Sequence, residues 1–122
     1  PLHILVAEDN LVNQKVTRQQ LKRLGYRADI VTNGREAMQA LERQAYDVVL
    51  MDVQMPEMDG LEATRQIRAG SGNEELCIIA MTASAADKDR EQCFKAGMDD
   101  YVAKPVDPKA LADALQRAAR SS

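Results

Sequence analysis

The sequence predicts an α/β fold in which a five-stranded parallel sheet carries helices on both faces. Short apolar runs alternate with amphipathic helical patterns along the whole of its 122 residues. Such βα units, joined by short loops, build parallel sheets. The run Val48-Val49-Leu50-Met51 is apolar without alternation, as befits a central strand buried on both faces.

The first strand is Ile4-Leu5-Val6-Ala7, ending in Glu8-Asp9. A helix from near Asn10 to Gly25 follows, with Val16, Gln20, Leu21 and Leu24 sharing a face with Asn13 and Thr17. Arg27-Ala28-Asp29-Ile30-Val31 alternates, the pattern of an edge strand. Asn33-Gly34 breaks the chain before a helix with Ala37, Met38 and Leu41 on one side. The central strand ends in Asp52. A loop with Met55-Pro56 and Asp59-Gly60 leads into a short helix with Leu61, Thr64 and Ile67 inward. Gly70-Ser71-Gly72-Asn73 is a loop before the fourth strand, Cys77-Ile78-Ile79-Ala80-Met81, which ends in Thr82. The fourth helix spans roughly Ala85 to Ala96 with a thin apolar face, and Gly97 suits its C-terminus. Tyr101-Val102-Ala103 is the last strand and ends in Lys104-Pro105. Asp107 as N-cap and Pro108 at the first helical position open the last helix, whose core stripe is Leu111, Ala114, Leu115 and Ala118.

Right-handed crossovers leave two windings to choose between, flavodoxin-like and dinucleotide-binding. The second needs a glycine-rich turn after the first strand. Glu8-Asp9-Asn10 stands there instead, and there is no GxxxxGK[ST] motif. The expectation is therefore a flavodoxin-like, doubly wound sheet of order 2-1-3-4-5 with five helices.

Hydrophobic content of 45% is enough for a core, and charged content of 29% with a net charge of −3 gives no reason to expect nucleic-acid binding. No apolar run approaches the roughly 20 residues of a membrane span, and no secretory signal begins the chain. Cys77 and Cys93 form no CxxC pair and read as small buried hydrophobes in a reducing compartment. The chain starts at Pro1 without an initiator Met. It is expected to be one domain, residues 1–122, cut from a longer protein, with the domain in the cytoplasm and no membrane contact of its own. A parent anchored in the inner membrane is compatible with this.

In open parallel sheets ligands bind at the C-terminal ends of the strands. That edge gathers Glu8, Asp9, Asp52, Thr82 and Lys104. Asp52, at the end of the central strand, is the natural nucleophile for a phosphoryl group. Three carboxylates would repel a dianionic phosphoryl, so a divalent cation is required. Mg²⁺, with Mn²⁺ as a substitute, takes hard oxygen ligands: Glu8, Asp9, Asp52 and a backbone carbonyl just past Asp52, for which Gln54 is the candidate. Lys104 would meet a second phosphoryl oxygen as a point charge, and the Thr82 hydroxyl and the Ala83 backbone N–H would meet a third. Positioning and charge neutralisation are then the whole of the catalysis. Singly, each residue has a plainer explanation: Asp52 and Thr82 as caps, Glu8 and Asp9 as acids at a helix N-terminus, Lys104 as a solvated charge. Their joint placement at four strand ends weighs against coincidence. His3 starts the first strand, at the far end from this edge, so no Ser/His or Cys/His pair can be assembled.

Glu8-Asp9-Asn10, Met51-Asp52, Met55-Pro56, Met58-Asp59-Gly60, Thr82-Ala83, Ala96-Gly97 and Lys104-Pro105, in this order and spacing, resemble the receiver domain of bacterial two-component signalling. The resemblance runs from about Leu2 to Ala119. It implies that Asp52 accepts phosphate from a histidine kinase or phosphorelay partner. It further implies that Glu8, Asp9, Asp52 and the Gln54 carbonyl hold Mg²⁺, and that Thr82 and Lys104 bind the phosphoryl group. Tyr101 would be a switch aromatic that reorients as Thr82 moves, and the Lys104–Pro105 bond would be cis. Glu8 stands where many members have Asp, which changes reach more than chemistry. The stretches 6–14, 51–60 and 97–101 are similar to receivers attached to hybrid histidine kinases. That implies onward transfer to a histidine phosphotransfer domain, with Leu11 and Pro105 as docking residues beside the site. Leu11 also reads as a lone surface leucine. A free-standing or transcription-factor receiver, with helix four, strand five and helix five as output face, is the first alternative. A Mg²⁺-dependent phosphatase is the second; Gln54, where such enzymes place a second acid, and the short chain argue against it. The domain itself is expected to assist its own phosphorylation and dephosphorylation.

Overall fold

The computed structural model describes residues 2–55, 57–70, 72–73, 75–83 and 86–121, the side chains of Asp87 and Ser121 excepted. Pro56, Ser71 and the start expected for the fourth helix at Ala85 lie outside the described residues. The elements are β1 (His3–Ala7), α1 (Leu11–Arg23), β2 (Arg27–Val31), α2 (Gly34–Arg43), β3 (Val48–Asp52), α3 (Gly60–Ala69), β4 (Cys77–Thr82), α4 (Asp87–Ala96), β5 (Asp100–Ala103) and α5 (Pro108–Ser121). The strands are all parallel and lie in the order β2-β1-β3-β4-β5. This is the flavodoxin-like winding expected from the sequence.

Strand alternation divides the core into two layers. Ile4, Val6, Val48, Leu50, Ile79, Met81 and Val102 face one way and pack with Leu21 of α1 and Leu111, Ala114, Leu115 and Ala118 of α5. Leu5, Ala7, Val49, Met51, Ile78 and Ala80 face the other way and pack with Ala37, Ala63, Ile67 and Cys93 from α2, α3 and α4. Every residue of β3 is buried, whereas no residue of the edge strand β2 is fully buried.

The helix starts follow from side-chain caps. Asn10, Asn33 and Asp59 accept from the backbone N–H of Asn13, Glu36 and Glu62, and Asp107 accepts from Ala110 at 3.1 Å. Helix α4 has Ala86 at its N-cap and no side-chain cap, so Thr82, the last residue of β4, is not its cap. At its other end Gly97 takes φ 111°, the left-handed conformation that glycine adopts freely. Buried Thr64 satisfies its hydroxyl by donating to the Gly60 carbonyl at 2.7 Å; Leu61, expected inward beside it, is half-buried.

One expectation is corrected. Val16 and Leu24 do not join the buried face of α1; they are 41% and 38% exposed. The buried line is Thr17 and Leu21, one turn apart. Val16 is rotated about 100° from Thr17, and Leu24 is the C-cap, past the last turn that touches the sheet.

The close approach of α3 to the end of β3 is set by Gly60. Its N–H donates to the Val53 carbonyl at 3.0 Å, and a Cβ there would lie 2.2 Å from the Asp52 carbonyl oxygen. Gly60→Ala is therefore expected to push α3 off the strand end and to destabilise the protein by about 1–3 kcal/mol, seen as a lower urea midpoint.

Candidate functional site

The central strand delivers Asp52 to the C-terminal edge of the sheet, and the pairing of Ala7 with Met51 sets Glu8 beside it. Glu8 and Asp52 are 1% and 3% exposed, and Asp9 is open to solvent. One carboxylate oxygen from each of the three lies within 4.8 Å of the others. Across β4, which lies between β3 and β5, the Lys104 ammonium reaches Asp52 Oδ2 at 2.8 Å and Glu8 Oε1 at 2.9 Å. Thr82 ends β4 opposite Ala103, and its carbonyl accepts from the Lys104 N–H at 2.8 Å. The Lys104–Pro105 bond is cis. Together with Thr82, Ala83 and Gln54 these groups line a cleft of about 460 Å³. A cleft of about 470 Å³, lined by Tyr46, Leu76 and Cys77 among others, gathers no comparable acidic cluster among the described residues.

The backbone holds the carboxylates in place. Asp52 Oδ1 accepts from the Gln54 N–H and Glu8 Oε2 from the Asn10 N–H, both at 3.1 Å. Asp52 thus also caps the turn that follows it, whereas the cap of α1 is Asn10 and not an acid; Asp52 and Glu8 each leave the second oxygen facing Lys104. Glu8 Oε1 is buried and makes no aligned hydrogen bond; the ammonium is its close charge partner. Burial works against the Lys104 charge, but hydrogen bonds and attraction from Asp52 and Glu8 outweigh it and hold its pKa above the usual lysine value.

Three carboxylates face one ammonium, two of them buried against it and Asp9 at the open rim, so the cleft is short of positive charge. That deficit, the all-oxygen donor set and the unaligned Glu8 oxygen fit a hard divalent cation. Glu8, Asp9 and Asp52 are the residues that could hold it, and Gln54 lines the same cleft.

Other expected residues lie around this centre. Tyr101 stands on β5, half-buried. Its hydroxyl accepts from Arg90 Nη1, the Arg90 guanidinium lies 5.1 Å over its ring, and Phe94 meets it edge-on at 6.4 Å. Leu11 is 71% exposed at the start of α1, and Pro105 is exposed beyond Lys104. His3 lies at the opposite edge of the sheet, against Tyr46, Ala45 and Asp29. Desolvation, then the nearby Asp99 and Asp100, pushes the half-buried Cys77 thiol up to about 11; burial also raises Cys93. Both are poor nucleophiles. Sequence reasoning missed Gln14, whose side-chain amide donates to the Glu8 carbonyl at 2.6 Å.

The response regulator receiver domain family matches residues 4–116. The chain belongs to that family. This receiver is similar to the receiver domain of a sensor histidine kinase of Pseudomonas aeruginosa, whose crystal structure holds a magnesium ion in the active-site cleft. The two are 48% identical with a TM-score of 0.88, and the match covers 95% of each chain. It is 47% identical to hybrid signal transduction histidine kinase H of Dictyostelium discoideum, over 97% of this chain and 9% of that protein. It is 29% identical, with a TM-score of 0.83, to the receiver domain of a Saccharomyces cerevisiae response regulator crystallised with a histidine phosphotransfer protein. That match covers 91% of this chain and 83% of the other. The receiver spans 9–15% of the length of the first curated relatives it matches.

Removing the ammonium tests the charge balance. Because the folded pKa of Lys104 is raised, its stabilisation is fully present below the unfolded value near 10.4 and is lost as pH rises through the folded value. Lys104→Met is expected to lower stability by about 1–3 kcal/mol at pH 7. The gap to wild type should hold constant up to about pH 10 and close above it, measured by urea unfolding across pH 7 to about 11.5.

Proposed function

We propose that this receiver is a Mg²⁺-dependent phosphoacceptor in which Asp52 takes a phosphoryl group from the phosphohistidine of a histidine kinase domain and passes it to a histidine phosphotransfer domain. The observation that carries the reading is the cluster itself: three carboxylates within 4.8 Å, two of them bridged by one lysine. An Asp52 oxygen forms the new O–P bond, the N–P bond of the donor breaks, and the electron pair leaves with the imidazole, which takes up a proton from solvent. Both Asp52 oxygens are held, one by the Gln54 N–H and one by Lys104, so the carboxylate is oriented before a donor arrives. Lys104 then shifts its charge from the carboxylate to a phosphoryl oxygen, while the Thr82 hydroxyl and the Ala83 N–H meet another. Glu8, Asp9, Asp52 and the Gln54 carbonyl would hold Mg²⁺, with Mn²⁺ as a substitute. The bound cation would supply the positive charge that lets a dianionic phosphoryl group approach.

Tyr101, gripped by Arg90 and Phe94 of α4, would report the event by reorienting as Thr82 engages the phosphoryl group. Partner docking draws support from α1. Leu11, Val12 and Val16 leave an exposed apolar strip there, 71%, 69% and 41% open, and Pro105 is exposed beyond Lys104. A related yeast receiver crystallises with a histidine phosphotransfer protein. The similarity to histidine kinases supports a hybrid-kinase parent over a free-standing or transcription-factor regulator. A kinase donor and two unreactive thiols suit the cytoplasmic side of the membrane.

Incubation with acetyl phosphate, followed by intact mass, tests this. One added phosphoryl group is expected with Mg²⁺ and none without it, and none for Asp52→Asn. An adduct that persists in Asp52→Asn, or no adduct in wild type with Mg²⁺, would refute the reading.

A further inference from the structure

Both loops that carry the charged groups of the cleft are tied to the same helix. Thr17 and Leu21 anchor α1 against the sheet, and glutamines on either side of that anchor reach outward. Gln14 Nε2 donates to the carbonyl of Glu8 at 2.6 Å. Gln20 Nε2 donates to the carbonyl of Val106 at 2.8 Å, two residues beyond Lys104. The first acceptor belongs to the peptide that joins Glu8 to Asp9. Its orientation fixes how both carboxylates leave the end of β1. The second lies in the turn between Lys104 and α5, so it fixes how far the lysine stem must reach.

Gln20 carries a further sign that this tie is its purpose. Its Oε1 is buried with no hydrogen-bond partner among the described residues, which is unfavourable for a polar atom. An apolar residue of the same length would avoid that cost and pack against the same surroundings. What it would lose is the bond to Val106. Among the described residues neither glutamine bonds a carboxylate of the acidic cluster or the Lys104 ammonium; both bond backbone carbonyls, so any effect on the cleft must pass through the backbone they hold.

We propose that Gln14 and Gln20 are positioning residues that hold opposite halves of the cleft from one helix: Gln14 the acidic turn, Gln20 the loop of Lys104. The inference rests on the phosphoacceptor reading above. It gives α1 a second task beside presenting an apolar strip. A partner seated on Leu11 and Val12 would press on the same helix that sets the geometry of the cleft.

The test uses Gln14→Met and Gln20→Met, which keep side-chain length and remove the donor. Two constants are measured on protein shown to be folded by circular dichroism. One is the Mg²⁺ dissociation constant by calorimetric titration. The other is the rate of phosphoryl addition from acetyl phosphate at saturating Mg²⁺. Gln14→Met is expected to weaken Mg²⁺ about tenfold and to recover most of the wild-type rate once Mg²⁺ saturates. Gln20→Met is expected to keep Mg²⁺ affinity within about twofold and to slow phosphoryl addition about tenfold. A merely structural role would lower the urea midpoint and leave both constants unchanged, which would overturn the proposal, as would equal losses of both constants in both variants. Wild-type protein that takes up neither Mg²⁺ nor phosphoryl would instead sink the phosphoacceptor reading, and this inference with it.

Discussion

The Lys104 ammonium, shared between Glu8 and Asp52 at 2.9 and 2.8 Å, allows two buried carboxylates to stand side by side at the end of the sheet. With oxygens up to 4.8 Å apart, two such charges repel by roughly 3 kcal/mol at an effective dielectric of about 20, and each lysine contact attracts by roughly 6 on the same scale before desolvation. The lysine therefore wins for that pair. Asp9 stands open to water at the rim, with no ion pair among the described residues. The cleft is thereby left short of positive charge, which is the condition for admitting a cation.

Everything else in the fold serves to bring that lysine to those acids. The two groups are separated by β4, so they meet only if β3, β4 and β5 keep their register and end at one level. Apolar burial fixes the register, because a slip of one residue would turn each strand's core face outward. Gly60 lets α3 start directly on the Asp52 carbonyl. On the far side of the sheet edge, Arg68 donates to the carbonyls of Gly97 and Asn73 and to the Asp99 carboxylate. It ties the α3–β4 and α4–β5 connections into one rigid rim. Helix α4, beside the cleft, starts without a side-chain cap. It also carries the two residues that grip Tyr101.

Much of this was legible in the chain. Apolar runs ending in Glu8-Asp9, Asp52, Thr82 and Lys104 placed the reactive groups at one edge, because strand ends in a parallel sheet converge whatever the helices do; the strand order followed from right-handed crossovers and the missing glycine-rich turn after the first strand. The cap at Asp107 was visible because capping is local; Asn10, Asn33 and Asp59 were read only as helix or loop boundaries, and the structure makes them caps as well. What could not be read is non-local. Nothing in the neighbourhood of Lys104 tells that its charge is shared by two acids, and nothing near Gln14 or Gln20 names the carbonyls they bind. The buried face of α1 was misjudged at Val16 and Leu24 because the helix offers few apolar residues inward, and the small Thr17 does the packing that a larger side chain was expected to do.

The central claim is that Asp52, rather than any other acid in the cluster, receives the phosphoryl group. The direct measurement is borohydride reduction of the phosphorylated protein followed by peptide mass spectrometry, since hydride converts an acyl phosphate to the alcohol and leaves free carboxylates untouched. Homoserine at position 52, and at neither Glu8 nor Asp9 the corresponding reduced residue, is the predicted result. Reduction at position 8 or 9, or a phosphoryl group that survives reduction unchanged on a hydroxyl or imidazole, would contradict the account.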